Sequence, residues 1–165
     1  MLSNGTSTKD FFSKNLKNRK QIFVIKEPSR TIDDDLNFGY KSEEELIQIL
    51  NNYFNDSFRN TKELYGQYCN YDFLGAKGFN RIELKTRRNK YSDYPTTIIP
   101  VHKTFGMDLC PNIFVFNFSD GIYYIEWNTN KFKTYEKKMI QYNRIGRTDN
   151  NEHYLIPIED LIKID

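Results

Sequence analysis

The sequence is poor in the residues that build disulfide frameworks and cysteine–histidine metal centres. Its 165 residues include two cysteines and two histidines. Cys69 and Cys110 stand apart in the chain, without the paired spacing of a zinc site. Reduced thiols in an intracellular protein are therefore the default expectation, and a disulfide is the lesser alternative.

Long apolar runs are also missing. No stretch is long enough to cross a membrane, and no apolar segment of the signal-peptide kind follows Met1. We therefore expect a protein of the cytoplasm, the nucleus or a virus that is not secreted and has no membrane partner. The chain also contains no internal repeat, no phosphate-binding glycine loop and no dinucleotide-binding fingerprint.

Aromatic residues are what the chain has in quantity. Its 13 Phe and 12 Tyr residues can fill a sizeable core, which argues against a disordered chain. The length suits a single domain, which we place at residues 41–165. Residues 1–40 are expected to form a loosely ordered N-terminal extension that could include a short strand at 21–26.

The formal net charge of +2 hides an uneven distribution of charge. Residues 27–45 carry seven acids against two basic residues, a balance of −5. Residues 77–103 carry seven basic residues against two acids, and residues 131–147 carry six against one, so each of these segments has a balance of +5. Two basic segments suit a polyanionic partner such as nucleic acid, although a solvated basic surface explains the charge equally well.

The most informative stretch runs from residue 72 to residue 87. Its second half alternates with a period of two, so Ile82 and Leu84 point to one face of a strand while Glu83 and Lys85 point to the other. Residues 68–74 also have a strand-like composition, and the glycines at 75 and 78 suit a turn between the two strands. Pairing across that turn would bring Asp72 close to Glu83.

An acidic residue on one strand, followed by Glu-x-Lys on the next, resembles the core of the PD-(D/E)XK nuclease superfamily, which has the restriction-endonuclease-like fold. The resemblance implies that Asp72, Glu83 and the backbone carbonyl of Leu84 bind Mg²⁺ or Mn²⁺. It also implies that Lys85 positions and deprotonates the attacking water, so that Asp72, Glu83 and Lys85 are the catalytic residues. Tyr71 stands where the family motif has Pro.

A helix is predicted from Ser42 to Phe54. Ser42 is a good N-cap, and with Glu45 it forms a capping box before a broad apolar stripe. Many members of the superfamily carry a Glu on the first core helix that reaches toward the metal, and the resemblance makes Glu43 a further candidate ligand. A favourable interaction with the helix dipole explains the same residue equally well.

Basic residues after the Glu-x-Lys strand are candidates for binding nucleic acid. Arg87, Arg88 and Lys90 begin a segment in which basic and aromatic residues interleave, and such segments contact phosphates and stack on bases. A loop that only closes over the core is the alternative. Lys103 follows an apolar segment that Pro100 interrupts. The resemblance implies that Lys103 binds the scissile phosphate, since the element after the Glu-x-Lys strand often lends a basic side chain to the site.

The remaining segments complete the predicted fold. Residues 113–118 are apolar on nearly both faces and predict a central strand, followed by a hairpin turn at 119–121 and a returning strand at 122–127. Residues 131–141 fit either a helix or a strand, 143–151 a turn-rich connection, 154–157 the last strand and 158–164 a short terminal helix. The prediction is an α/β fold in which helices flank a central mixed β-sheet, as in a restriction-endonuclease-like core.

The main functional hypothesis is a Mg²⁺-dependent endonuclease that hydrolyses phosphodiester bonds in DNA. The alternative is a catalytically inactive nucleic-acid-binding or scaffold protein that keeps the fold without turnover. A protein-binding domain with an aromatic surface is a third possibility. The sequence does not separate DNA from RNA. Cleavage of both strands of a duplex would usually require two copies, so a homodimer stays open.

Overall fold

The protein is built from ten described strands, one long helix and several short helices. A computed structural model describes residues 22–26, 31–66, 69–77, 80–106, 112–145 and 147–165. The strands are β1 (Ile22–Lys26), β2 (Arg59–Asn60), β3 (Phe73–Leu74), β4 (Arg81–Thr86), β5 (Thr96–Pro100), β6 (Asn112–Phe118), β7 (Gly121–Glu126), β8 (Lys137–Arg144), β9 (Arg147–Pro157) and β10 (Ile162–Ile164). The α-helices are α1 (Ile32–Phe54), α2 (Thr61–Tyr65) and α3 (Thr129–Phe132), and the 3₁₀ helices are Tyr91–Asp93, Val101–Thr104 and Ile158–Asp160.

The strands form two mixed sheets. The larger sheet has six strands in the order β10-β7-β6-β4-β3-β2, and the smaller sheet has four in the order β1-β8-β9-β5. In the larger sheet β4 and β6 are parallel, while the other neighbours that pair are antiparallel. The predicted mixed α/β fold with a mixed sheet is confirmed.

Helix α1 covers one face of the larger sheet. Its Leu46 and Leu50, one helical turn apart, pack in one cluster with Ile82 and Leu84 of β4 and Val115 of β6. The other residues of this part of α1, from Glu44 to Ile49, are partly or fully exposed. The even-numbered residues of β4 therefore face the helix, as the alternation predicts.

The other face of the larger sheet is covered by the smaller sheet. Phe114 and Phe116 of β6 pack in a second cluster with Ile99 of β5, Ile156 of β9 and Phe132 of α3. Strand β6 is thus buried on both faces, which confirms the predicted central strand. Among the described residues, α1 covers one face of this sheet, and the smaller sheet together with the short helix α3 covers the other.

The N-terminal half of α1 was not predicted. The helix begins at Ile32, whereas sequence reasoning placed its start at Ser42. Asp33 lies in the first turn, where acidic residues favour a helix because they face the positive end of its dipole. The boundary drawn between residues 40 and 41 falls inside this helix, and β1 pairs in parallel with β8. The loose order predicted for the first residues, 1–21, lies outside the described residues.

Three further predictions about secondary structure were wrong. Of the strand predicted at 68–74, the described residues 69–74 contain only Phe73–Leu74. Residues 143–151, predicted as a turn-rich connection, belong mostly to the antiparallel β8–β9 hairpin. This part of the hairpin is half-exposed and polar, so its composition resembles that of a loop. The predicted terminal helix is instead a 3₁₀ turn followed by β10, which pairs with β7.

The connection from β4 to β6 passes through the smaller sheet. After β4 the chain forms β5, which pairs with β9, and then the 3₁₀ helix Val101–Thr104. Pro100 is the last residue of β5, an edge strand, where its missing N–H removes no central ladder hydrogen bond. This path returns the chain to the face of β4 that carries Glu83 and Lys85.

No helix within the described ranges is long and apolar enough to span a lipid bilayer. Cys69 is a half-buried free thiol, and Cys110 lies outside the described residues.

The turn between β3 and β4 is held by Asp56, which lies just after α1. Its buried carboxylate accepts hydrogen bonds from the Ser57 amide at 2.7 Å, the Lys77 amide at 2.8 Å and the Asn80 side chain at 3.3 Å. Burial opposes ionisation, but these donors together lower the pKa of Asp56 below its ordinary value. Gly75 packs directly against this carboxylate.

Gly75→Ala is expected to lower the free energy of unfolding by about 2 to 3 kcal/mol. A Cβ at this position would lie 2.2 Å from Asp56 Oδ2 and 2.9 Å from its Cγ, and the carboxylate cannot retreat without losing its donors. Urea denaturation measures the effect. Ala76→Ser, at the exposed neighbouring position, is the control and should change stability by less than about 0.5 kcal/mol. Equal effects of the two substitutions would contradict this packing.

Candidate active site

Asp72 is positioned by the antiparallel pairing of β3 with β4. Phe73 lies opposite Ile82, and one residue earlier the amide of Asp72 donates to the carbonyl of Ile82 at 2.8 Å. The Asp72 carboxylate then accepts a hydrogen bond from the amide of Leu84 through Oδ2 at 2.8 Å. The side chain thus satisfies a strand amide that the short β3 does not reach. The structure brings Asp72 to β4, as pairing across the turn predicts.

Thr61, the first residue of α2, fixes the backbone on the other side of Asp72. The Thr61 amide donates to the carbonyl of Asp72 at 2.9 Å, and its buried hydroxyl donates to the carbonyl of Tyr71. Two donor groups of Thr61 thus hold the backbone at residues 71 and 72 in place. Sequence reasoning did not identify Thr61, because a threonine at the start of a short helix carries no signal for a distant partner.

Glu83 lies at the centre of a group of opposite charges. Its side chain is 2% exposed, and its Oε1 forms ion pairs with the ammonium groups of Lys85 and, at 3.0 Å, Lys103. Burial by itself would raise the pKa of Glu83, but the two ammonium groups outweigh it and hold the pKa below its ordinary value. Glu83 therefore remains ionised inside the protein.

Lys103 reaches this cluster from the 3₁₀ helix after β5. Its ammonium donates to Glu83 Oε2 at 3.2 Å and to the carbonyl of Asn70 at 3.3 Å. Lys103 therefore links the Glu-x-Lys strand to the segment that precedes Asp72. Residues 70, 72, 83, 85 and 103, although distant in sequence, meet at one end of β3.

The Asp72 carboxyl titrates at an unusually high pH. Its pKa is raised to about 6, first by burial and then by the negative charge of Glu83. The Leu84 amide and the Lys85 ammonium act in the opposite direction, and the more remote charge of Glu43 raises the pKa further. Two carboxyl groups thus share one site, and the lysines favour ionisation of Glu83 over that of Asp72.

Glu43 of α1 is buried beside this site. Its carboxylate accepts a hydrogen bond from Asn60 Nδ2 at 3.1 Å and forms an ion pair with Lys62 of α2. The Asn60 side chain also caps α2 by accepting from the Lys62 amide at 2.9 Å. Glu43 thus ties the short helix to α1, in addition to its electrostatic effect on Asp72.

The donors at this site suit a hard divalent cation. In the described part of the chain, no group of three or more histidine, cysteine, aspartate or glutamate side chains could hold a metal ion. Asp72 and Glu83 nevertheless supply carboxylate oxygens, the donors that Mg²⁺ and Mn²⁺ prefer. The carbonyl of Leu84 points to the edge of β4 where its amide meets Asp72, because both groups of one strand residue face the same neighbour. The set therefore fits such an ion if a lysine moves aside from Glu83.

The residues predicted to bind nucleic acid lie in different surroundings. Arg87 is directed between the sheets: its guanidinium donates to the carbonyl of Ile98 at 2.6 Å and lies 5.8 Å from the Phe116 ring centroid. This placement favours a structural role for Arg87. Arg88 and Lys90 are exposed in the loop after β4, and this loop is anchored to the β6–β7 turn through the Ser119 amide.

The chain was compared with protein-family models, with curated proteins and with solved structures, and none of the three comparisons gave a match. The functional argument therefore depends on the geometry of the site itself.

Proposed function

We propose that this protein is a Mg²⁺-dependent endonuclease that hydrolyses phosphodiester bonds in DNA. The observation that carries the proposal is the electrostatic coupling of Asp72 to Glu83, with Lys85 on the same strand face as Glu83. A half-buried and a buried carboxylate with a neighbouring lysine suit a metal-assisted attack of water on a phosphodiester.

The order of elements around the site supports the same proposal. A long helix, an acidic residue at the end of one strand, and a Glu-x-Lys strand follow each other along the chain. A buried strand then pairs in parallel with the Glu-x-Lys strand and continues into a hairpin. This is the sequence of elements that a resemblance to the PD-(D/E)XK superfamily implies, so we propose a restriction-endonuclease-like core within the mixed α/β fold.

Asp72, Glu83 and the carbonyl of Leu84 would hold the ion, with Glu43 as a further candidate. When bound, Mg²⁺ or Mn²⁺ would polarise the phosphate and lower the pKa of a water molecule. Relief of the repulsion between the two carboxylates would favour binding, since the pKa of Asp72 is already raised to about 6.

The two lysines have separate proposed roles. Lys85, in contact with Glu83, would orient the attacking water. Next to a bound dication the Lys85 ammonium would lose its proton to solvent, and the resulting amine would then accept the proton of the water. Lys103 approaches Glu83 from the other sheet, and its ammonium would bind the scissile phosphate and balance the charge that develops there. Arg88 and Lys90, exposed beyond the end of β4, would contact phosphates further along the DNA.

Lys85→Ala is expected to slow cleavage by about 10³-fold, the range found for loss of a positioned acid or base. The assay follows supercoiled plasmid and circular single-stranded DNA with Mg²⁺ or Mn²⁺, because circular substrates report internal cuts. Lys133→Ala is the matched control, since Lys133 is an exposed lysine at the end of α3. Cleavage that persists in Lys85→Ala would mean that the active site lies elsewhere.

A nucleic-acid-binding protein without turnover is the second candidate. It is favoured by one observation: the ammonium groups of Lys85 and Lys103 already neutralise Glu83. If the wild-type protein cleaves no circular substrate, yet the Asp72→Ala/Glu83→Ala double variant binds DNA with the wild-type affinity and salt dependence, this second function replaces the first.

A further inference from the structure

Arg81 is a basic residue of β4 to which the proposed function gives no role. It lies two residues before Glu83 and therefore on the same strand face. Its Nε is buried and has no hydrogen-bond acceptor among the described residues. The guanidinium carbon lies over the Tyr71 ring, 4.9 Å from its centroid, so the charged group has an aromatic support.

This arrangement leaves the Nε–H of Arg81 without a hydrogen-bond acceptor in the described part of the chain. A buried N–H without an acceptor is costly, and native proteins keep few of them. A guanidinium that is stacked on a ring still presents its N–H groups in a planar fork, which matches two oxygens of a phosphate. The orphaned Nε therefore points to an anionic ligand.

The position of Arg81 ties this ligand to the proposed active site. Tyr71, which supports Arg81, directly precedes Asp72, and the carbonyl of Asn70 accepts from Lys103. Lys103 in turn contacts Glu83. Arg81 and Lys103 thus contact neighbouring residues of the segment 70–72, and a phosphate on Arg81 would belong to a polynucleotide that enters the site.

Exposed aromatic rings adjoin the same segment. Tyr65 is 63% exposed. The pKa of the Tyr71 hydroxyl is raised mainly by burial and by Cys69, and the nearby phenol of Tyr65 raises it further. Phe105, two residues after Lys103, is 74% exposed. Exposed rings beside basic groups are typical of sites that stack unpaired bases, whereas a continuous duplex hides the faces of its bases.

We propose that the site takes an unpaired polynucleotide strand, with a phosphate held by Arg81 on its Tyr71 support and bases stacked on Tyr65 and Phe105. This inference rests on the proposed nuclease site and names its substrate class. A single-stranded region, a flap or an unpaired loop all present this chemistry. The test distinguishes deoxyribose from ribose by comparing a DNA single strand with an RNA single strand.

The test measures binding of fluorescein-labelled oligo-dU, oligo-rU and a mixed-sequence DNA duplex in EDTA, where no metal-dependent cleavage occurs. Arg81→Ala should weaken binding of the single strands by roughly 10- to 100-fold and reduce the slope of log affinity against log salt by about 0.7. Phe105→Ala should weaken binding of the single strands by about 5-fold or more and leave duplex binding unchanged. The stronger of the two single-stranded ligands identifies the sugar.

Two controls and one conservative variant accompany these measurements. Tyr94→Ala removes a ring that is 61% exposed at the opposite end of β5 from Lys103, and Lys133→Ala removes an exposed charge; each should change binding less than about twofold. Arg81→Lys keeps the charge without the planar fork and should recover only part of the affinity. It also replaces Arg81→Ala if that variant does not fold.

The outcomes separate this inference from the proposed function. Loss of single-strand binding in Arg81→Ala, without cleavage by the wild type in Mg²⁺, would support the inference and overturn the nuclease. Unchanged binding in the Arg81 variants, or equal losses for duplex and single strands, would overturn the inference even if the wild-type protein cleaves.

Discussion

Asp72→Asn is expected to raise the free energy of unfolding of the metal-free protein by about 2 to 3 kcal/mol near neutral pH, while cleavage is lost. The gain follows from the raised pKa of Asp72, about 6 in the folded protein against 3.8 as the reference value. The folded state binds this proton more tightly than the unfolded chain. Stability from Asp72 is therefore complete below about pH 4 and is lost as the pH rises through about 6.

The substitution removes this loss because asparagine does not ionise. Its side-chain oxygen can still accept from the Leu84 amide, which now donates to Asp72 Oδ2. Urea denaturation in EDTA at about pH 7.5 and about pH 4 should therefore show a gain for Asp72→Asn at the higher pH and little difference at the lower pH. Glu126→Gln, on an exposed carboxylate of β7, is the control and should show no such pH dependence.

A loss of stability for Asp72→Asn that is the same at both pH values would contradict the raised pKa of the Asp72 carboxyl. Mg²⁺ adds a second comparison. It should raise the melting temperature of the wild-type protein, because binding to the folded state stabilises it, and should have no effect on Asp72→Asn.

Glu83→Gln is expected to act in the opposite direction and to lower the free energy of unfolding by about 2 to 4 kcal/mol. The wild-type carboxylate neutralises two ammonium groups, Lys85 and Lys103, whose side chains are only 21% and 26% exposed. An amide leaves these two like charges together without the carboxylate that both of them contact. Cleavage should also fall to background, because the second carboxylate ligand is lost.

A double-mutant cycle with Lys103→Met tests this explanation of the instability. Removing one of the two ammonium groups should recover a large part of the stability lost in Glu83→Gln, without recovering cleavage. Thermal and urea unfolding at neutral pH measure both effects. If Glu83→Gln is as stable as the wild type, or if Lys103→Met makes the loss larger, the ion-pair cluster does not stabilise the fold as described.

Asp72→Asn and Glu83→Gln are expected to change the free energy of unfolding in opposite directions because of packing that the sequence could not show. The period of two in 79–87 predicts that Glu83 and Lys85 share a face, and that is what β4 has. The turn glycines predict that Asp72 approaches β4. Neither signal indicates that a second lysine reaches Glu83, which is what makes the two carboxylates differ.

Lys103 reaches the cluster only because the chain crosses to the smaller sheet and back. Sequence reasoning predicted one central sheet flanked by helices, since it did not identify the β8–β9 hairpin as part of a second sheet. That hairpin contains the polar run 148–152, which has the composition of a loop. Its pairing with β5 is a long-range interaction, and local propensity does not encode such pairing.

Contacts between residues that lie far apart in sequence were likewise not predicted. Glu43 was proposed from its place on a helix, but its ion pair with Lys62 depends on how α2 packs. Arg81 was passed over because nothing in an alternating strand marks one basic residue as lacking a partner. The burial of its Nε over Tyr71 becomes visible only in three dimensions.

The most direct test of the central claim is to locate Mn²⁺ by anomalous diffraction in crystals grown with millimolar Mn²⁺ and a phosphorothioate oligonucleotide that resists cleavage. We predict an anomalous peak in contact with carboxylate oxygens of both Asp72 and Glu83, with at least one of Lys85 and Lys103 displaced from Glu83. Crystals that contain the oligonucleotide but show no peak there, and in which both lysines remain paired with Glu83, would contradict a metal-dependent active site at this position.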